Sequence, residues 1–361
     1  MIYFRRVALI SLIIIFIFDS LSNVFAGTKS EKINNDNFQE ILKKVEYLNI
    51  DKEVDKLVLE GMTRKDAEYY IKLDKVVDIM EKEGVELRLD GNIEEISDRD
   101  FINNKDYYRK KILQGDKSAL KKAILSVDRI INGKEYTENI VSTFSGKSAY
   151  EIIYPDGSKI IYNTKSNENK NKELMENENQ ESLERKIRKD VNNVVNMEGV
   201  EKEKFVDNHS TKNGYKETIM DDGLTYAYEK LSSREGEWSF ESGVSFSKVY
   251  LYSEFELNDE GVSTIRYARG GQASYGIINI ANSTGATISR AVSQGKDLPA
   301  EARNEVVFTV SGSFGASFLS LSISVEPGMN WTQYIIFRLY EPEMVGDYYA
   351  SRYEWYAADY K

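Results

Sequence analysis

No cysteine occurs among the 361 residues, and histidine occurs once, at His209. The first absence excludes disulfides, a cysteine nucleophile, iron–sulfur clusters and thiolate zinc sites. The second excludes any centre built from two imidazoles of this chain, H-E-x-x-H included. His209 sits in Asp207-Asn208-His209-Ser210-Thr211. That polar stretch offers no buried setting, orienting acid or adjacent nucleophile, so an exposed, noncatalytic histidine is expected. Neither a G-x-S-x-G elbow nor a G-x-x-x-x-G-K-[ST] loop is present. No apolar run approaches the roughly 18 residues needed to span a bilayer. Basic residues are in the minority, 48 Lys and Arg against 59 Asp and Glu, for a net charge of −11. Without a basic stripe interleaved with aromatics, nucleic acid is not an expected partner.

What is present begins with an export pattern. Arg5 and Arg6 precede an apolar stretch from Val7 to Phe18 that only Ser11 interrupts, and Val24 and Ala26 occupy the −3 and −1 positions of a cleavage site. Residues 1–26 are therefore expected to be a signal peptide cleaved after Ala26. There is no lipoprotein cysteine and no L-P-x-T-G motif with an apolar tail, so the expected location is extracellular and soluble. The Lys-, Asn-, Ile- and Glu-rich composition resembles that of secreted bacterial proteins.

Three regimes follow. Residues 33–163 are expected to form a helical module. Phe38, Ile41, Leu42, Val45 and Leu48 make one apolar stripe. Thr63 with Asp66, and Ser97 with Asp100, are cap pairs ahead of further helices, and Asp116 opens another whose inner face is Leu120, Ile124, Val127 and Ile131. Tyr150, Ile152 and Tyr154 alternate before Pro155-Asp156-Gly157-Ser158, a strong turn signal that predicts a hairpin closing the module. Residues 164–213 are expected to be a polar linker. Ser166–Ser182 contains five Asn and five Glu, with a short amphipathic helix after it. Residues 214–361 hold all three Trp and most of the Tyr, in short alternating runs separated by Gly-containing turns, which predicts an antiparallel sandwich. Asp221-Asp222-Gly223 and Gly270-Gly271 are expected turns. The fold class expected is thus α+β in two modules.

The candidate chemistry is sparse. The many acids include Asp221-Asp222, Asp259-Glu260 and Glu341/Glu343, all beside expected turns. A carboxylate pair for glycoside hydrolysis is possible in kind, but no pair is singled out. No D-x-D-x-D-G loop occurs, Asp90-Gly91-Asn92 is too short to count, and no metal or cofactor is expected. Val306 to Val325 carries no charge and alternates apolar residues, among them Phe308, Phe314, Phe318, Leu321 and Ile323, with Gly, Ser and Thr. This dyad resembles the membrane-inserting hairpins of β-pore-forming toxins, which implies strands facing lipid on one side and water on the other. An ordinary half-buried strand reads the same way. Aromatics exposed on a sandwich commonly make contact surfaces, and Trp238, Trp331, Trp355 and Tyr356 are the expected ligand contacts.

The composite expectation is a secreted, noncatalytic protein that binds a surface protein or glycan at a cell surface or envelope through its C-terminal β part. Two readings of other classes compete: a membrane-active effector using residues 274–325, the only version that needs membrane contact, and an extracellular hydrolase with a carboxylate pair.

Overall fold

A computed structural model describes residues 31–32, 35–87, 89, 91–132, 137–142, 147–166, 215–227, 231–258, 262–295, 297–315, 330–345 and 348–360. Six helices come first: α1 (Asn35–Glu46), α2 (Asp51–Leu59), α3 (Arg64–Lys82), α4 (Asp98–Asn103), α5 (Lys105–Ile112) and α6 (Lys117–Asn132). Strands β1 (Glu31–Lys32) and β2 (Val85–Glu86) pair in parallel beside them. The capping residues act as their side-chain chemistry dictates. Thr63 Oγ1 accepts from Asp66 N at 3.1 Å, Ser97 Oγ from Asp100 N at 3.2 Å, and Asp116 Oδ1 from Ala119 N at 2.9 Å. Helix α2 has no such side-chain cap, and its stripe, Val54 and Leu57, packs with Ile50, Ala67 and Ile71 in a small cluster of its own.

The β part consists of β3 (Thr137–Ser142), β4 (Lys147–Ile153), β5 (Lys159–Ser166), β6 (Tyr215–Tyr226), β7 (Ser232–Glu241), β8 (Ser245–Leu257), β9 (Ser263–Gly276), β10 (Ile278–Arg290), β11 (Ala300–Val310), β12 (Asn330–Leu339), β13 (Glu343–Val345) and β14 (Tyr348–Tyr360), with a single helical turn, α7 (Gly312–Gly315), after β11. One antiparallel sheet has the order β3-β4-β5-β7-β8-β9. The other runs β10-β11-β12-β14-β13, with β6 also paired to β14. The sheets share a core, in which Phe255 meets Phe337 at 5.2 Å and Trp238 meets Phe308 at 6.0 Å between ring centroids. Helices at the N-terminal end and antiparallel sheets beyond them make the chain α+β.

The hairpin predicted from Tyr154-Pro155-Asp156-Gly157-Ser158 is present. Tyr154 N donates to Ser158 O at 2.8 Å, and Gly157 takes a φ of +81° that suits glycine. It does not merely close the helical segment. Strand β5 pairs along its length with β7, so one sheet draws on both sides of the linker. A single apolar core correspondingly runs from Phe38 and Tyr70 in the helices through Trp238 and Phe240 to Trp355.

Two expected turns lie inside strands. Asp221-Asp222-Gly223 belongs to β6, at a bulge opposite Trp355 and Tyr356. Gly270-Gly271 lies in the middle of β9, paired with Leu251 and Tyr250. These glycines mark close approach rather than reversal. A methyl on Gly270 would stand 2.5 Å from Asn304 Nδ2, and one on Gly271 would stand 2.4 Å from the Tyr250 ring. The chain turns at Gly276 instead, where φ is +95°.

Candidate functional site at the helix–sheet junction

The four aromatics expected to contact a ligand are core residues. Trp355 is 0% exposed and Trp331 7%. Trp355 packs on Phe337 at 4.8 Å, Trp331 on Phe308 at 5.5 Å, and Trp238 stacks with Phe240 at 6.2 Å. Tyr356 is buried on the opposite face of its sheet, with Ile336 and Ala358, and its hydroxyl bonds Glu354. Trp355 lies in the core between the sheets and Tyr356 is buried among neighbouring side chains of its own sheet, so neither is offered to a ligand. A ring with no exposed face gives a ligand nothing to stack on. Phe308 and Phe314, named for the membrane-active reading, are likewise fully buried. Phe318, Leu321, Ile323 and His209 lie outside the described residues.

A different constellation sits where α3 and α5 meet the β7–β8 turn. Lys105 and Arg109 are four residues apart on α5 and therefore share a face. Helix α3 offers Asp66, Tyr69 and Tyr70, and the turn offers Glu241, Ser242 and Gly243. Arg109 Nη1 donates to Asp66 Oδ1, and its Nη2 donates to the Tyr70 hydroxyl at 3.2 Å and Glu241 Oε1 at 3.3 Å. The guanidinium also lies over the Tyr69 and Tyr70 rings, 4.8 and 5.2 Å from their centroids. Lys105 Nζ donates to Glu241 Oε1 at 2.7 Å, and Lys159 Nζ stands 3.7 Å from Oε2. The Tyr69 hydroxyl donates to Gly243 O at 2.5 Å, and the Tyr70 hydroxyl lies 2.8 Å from Ser242 O. A second cluster pins the hairpin turn to α6. Arg129 Nη1 reaches Asp98 Oδ1 at 2.9 Å and Asp156 Oδ2 at 3.4 Å, and Asp156 also accepts from Ser126 and Ser158.

The electrostatics follow from this pairing. Burial opposes ionisation of Glu241, yet Lys105, Lys159 and Arg109 together hold its carboxyl below the ordinary glutamate value. Burial likewise opposes ionisation of Asp66, and hydrogen bonds from Arg109 and Thr63 outweigh it. The acids pushed up to about 6 are Asp74 and Asp221, chiefly by burial, each with a second carboxylate close by.

Three clefts surround the cluster. One of about 280 Å³, between α4, α5 and the β4–β5 turn, includes Ile102, Lys105, Glu151, Ile153 and Lys159. A polar one of about 340 Å³ lies over the first sheet and includes Asn163, Glu237 and Lys248. A third, of about 360 Å³, has Leu42, Val45 and Val76 on its walls. Arg109 lines the first and third, and Glu241 the first and second. Neither Asp74 nor Asp221 lines any of them. Among the described residues there is no group of three or more acids or imidazoles placed to hold a metal ion, and no helix long and apolar enough to cross a membrane.

Sequence reading identified Asp66 only as a cap and passed over Arg109, Lys105 and Glu241. Their one local signal is the spacing of Lys105 and Arg109, which an exposed helix face produces just as readily. Comparison of the chain with protein-family models, with curated proteins and with solved structures returns no match.

Proposed function

We propose that this is an exported, noncatalytic binding protein that engages a component of a cell surface or envelope through the helix–sheet junction. The residue pattern of positions 1–26 supports export. The observation that carries the binding reading is the pairing at the clefts: Asp66 and Glu241 are each held ionised by fixed cations. Engaged by these cations, both carboxylates stand as fixed hydrogen-bond acceptors. With the tryptophans buried, the seam between the helices and the β part is the surface proposed for binding.

Cosedimentation of the exported protein with bacterial envelope material tests the reading. Saturable retention, competed by unlabelled protein and without release of soluble sugar, is the expected result. Absence of retention, or glycan turnover abolished by a single Asp or Glu substitution, contradicts it.

A further inference from the structure

The 280 Å³ cleft is small, just below the roughly 300–1,000 Å³ of ligand pockets. It admits a single ring or short side chain rather than a folded surface. Its fixed charges cancel. Lys105, Arg109 and Lys159 line it together with Glu151, Asp156 and Glu241. Asp156 is satisfied by Arg129, Ser126 and Ser158, and Arg109 is shared with Asp66. A ligand with net charge therefore finds no excess of the opposite sign.

Hydrogen-bonding capacity, in contrast, is left over. Lys105 and Lys159 each hold three donors and engage Glu241 alone among the described residues. Glu151 has no hydrogen-bond or ion-pair partner among the described residues. Beside these groups stand the aliphatic side chains of Ile102, which is 43% exposed, and Ile153. Backbone is not on offer for strand addition. Tyr154 N, Gly157 N, Ser242 N and the carbonyls of Ser242 and Gly243 are already bonded. That disfavours an extended peptide, whose affinity comes from main-chain pairing.

The geometry points to a neutral sugar ring as the occupant of this cleft, its hydroxyls bridging Glu151, Lys105 and Lys159 and its C–H face lying on Ile102 and Ile153. The inference rests on the binding reading above and narrows it from an envelope component to a neutral glycan. The test is calorimetric titration of the intact exported protein with cellobiose, maltose, lactose and chitobiose, with glucuronate as the charged control. At least one neutral disaccharide is expected to bind, with an affinity unchanged between low and high salt. Glu151→Gln and Lys159→Met, both at partly exposed positions, are expected to weaken it by about tenfold each, with the thermal midpoint unchanged in Glu151→Gln. Binding of none of the four, preference for glucuronate, a steep salt dependence, or full affinity in both variants overturns the inference. If the sugars fail while envelope retention persists, the glycan assignment falls and the binding reading stands. If retention also fails, both fall.

Discussion

Gly236 has no room for a methyl group. A Cβ there would stand 2.6 Å from the ring of Trp355, which crosses from the opposite sheet. Gly223 under Tyr353 and Gly271 beside Tyr250 make similarly close approaches, 2.5 and 2.4 Å, to the residue paired with each on the neighbouring strand. At this scale the sandwich is built from glycine and large-ring pairs, and that is why its sequence misleads. A glycine among polar residues carries the same local signal whether it reverses the chain or makes room for a neighbour. Trp355 fills the space that Gly236 leaves. Gly236→Ala is expected to cost about 1–3 kcal/mol in urea unfolding, as overpacking does, with part of the loss recovered by Trp355→Phe in the same chain. An unchanged midpoint in the single variant would show that the strand glycines are not packing positions.

Among the elements, the helices were legible and several strands were not. Helix α1 declares itself through Phe38, Ile41 and Val45, all buried, and α3 through its Thr63 cap and a stripe ending at Met80. Period and cap agree there. Helix α2 has neither a side-chain cap nor a long stripe, and it escaped notice. Strands β7 and β9 contain Arg, Glu and Gly where a strand pattern would have Val and Ile, because one face of each takes polar contacts. Lys248 of β8, for example, pairs with Glu237 of β7 and Glu60 beyond α2 at 3.2 and 3.3 Å.

Helix α3 also braces the corner between β9 and β10. Gly276 N donates to Asp74 Oδ1 at 3.3 Å, and Glu81 accepts from Ser311. Burial, with Asp78 nearby, lifts Asp74 from 3.8 to about 6. The folded chain therefore binds this proton more tightly than the unfolded chain. The contribution is favourable in acid and becomes a cost as pH rises through about 6. Asp74→Asn keeps an acceptor and removes the charge. It is expected to stabilise the protein at pH 7.5 by at most about 3 kcal/mol, with the gain shrinking towards zero near pH 4. Chemical unfolding at the two pH values measures it, and a loss of stability at pH 7.5 would contradict the brace as described.

For the whole molecule, one sheet and one apolar core draw on residues from both sides of the linker. The first sheet takes β4 and β5 from before residue 167 and β7 from after residue 230, and one core passes from α1 to β14. Local periodicity carries no information about strand pairing across such a gap, so this unity was invisible before the fold. The candidate site belongs to the same scale. Asp66, Arg109 and Glu241 are 132 residues apart at their widest contact, Arg109 to Glu241. Each is an unremarkable charged residue until the helices lie on the sheet.

The direct test of this junction as the binding surface uses the absence of native cysteine. Ile102→Cys places one thiol at the rim of the 280 Å³ cleft, and Met344→Cys, at a position 57% exposed on β13, serves as the control. Alkylation rates are compared with and without saturating envelope material. Cys introduced at position 102 is expected to be strongly protected and that at position 344 to react at its free rate. Retention of the protein with undiminished alkylation at position 102 would contradict it.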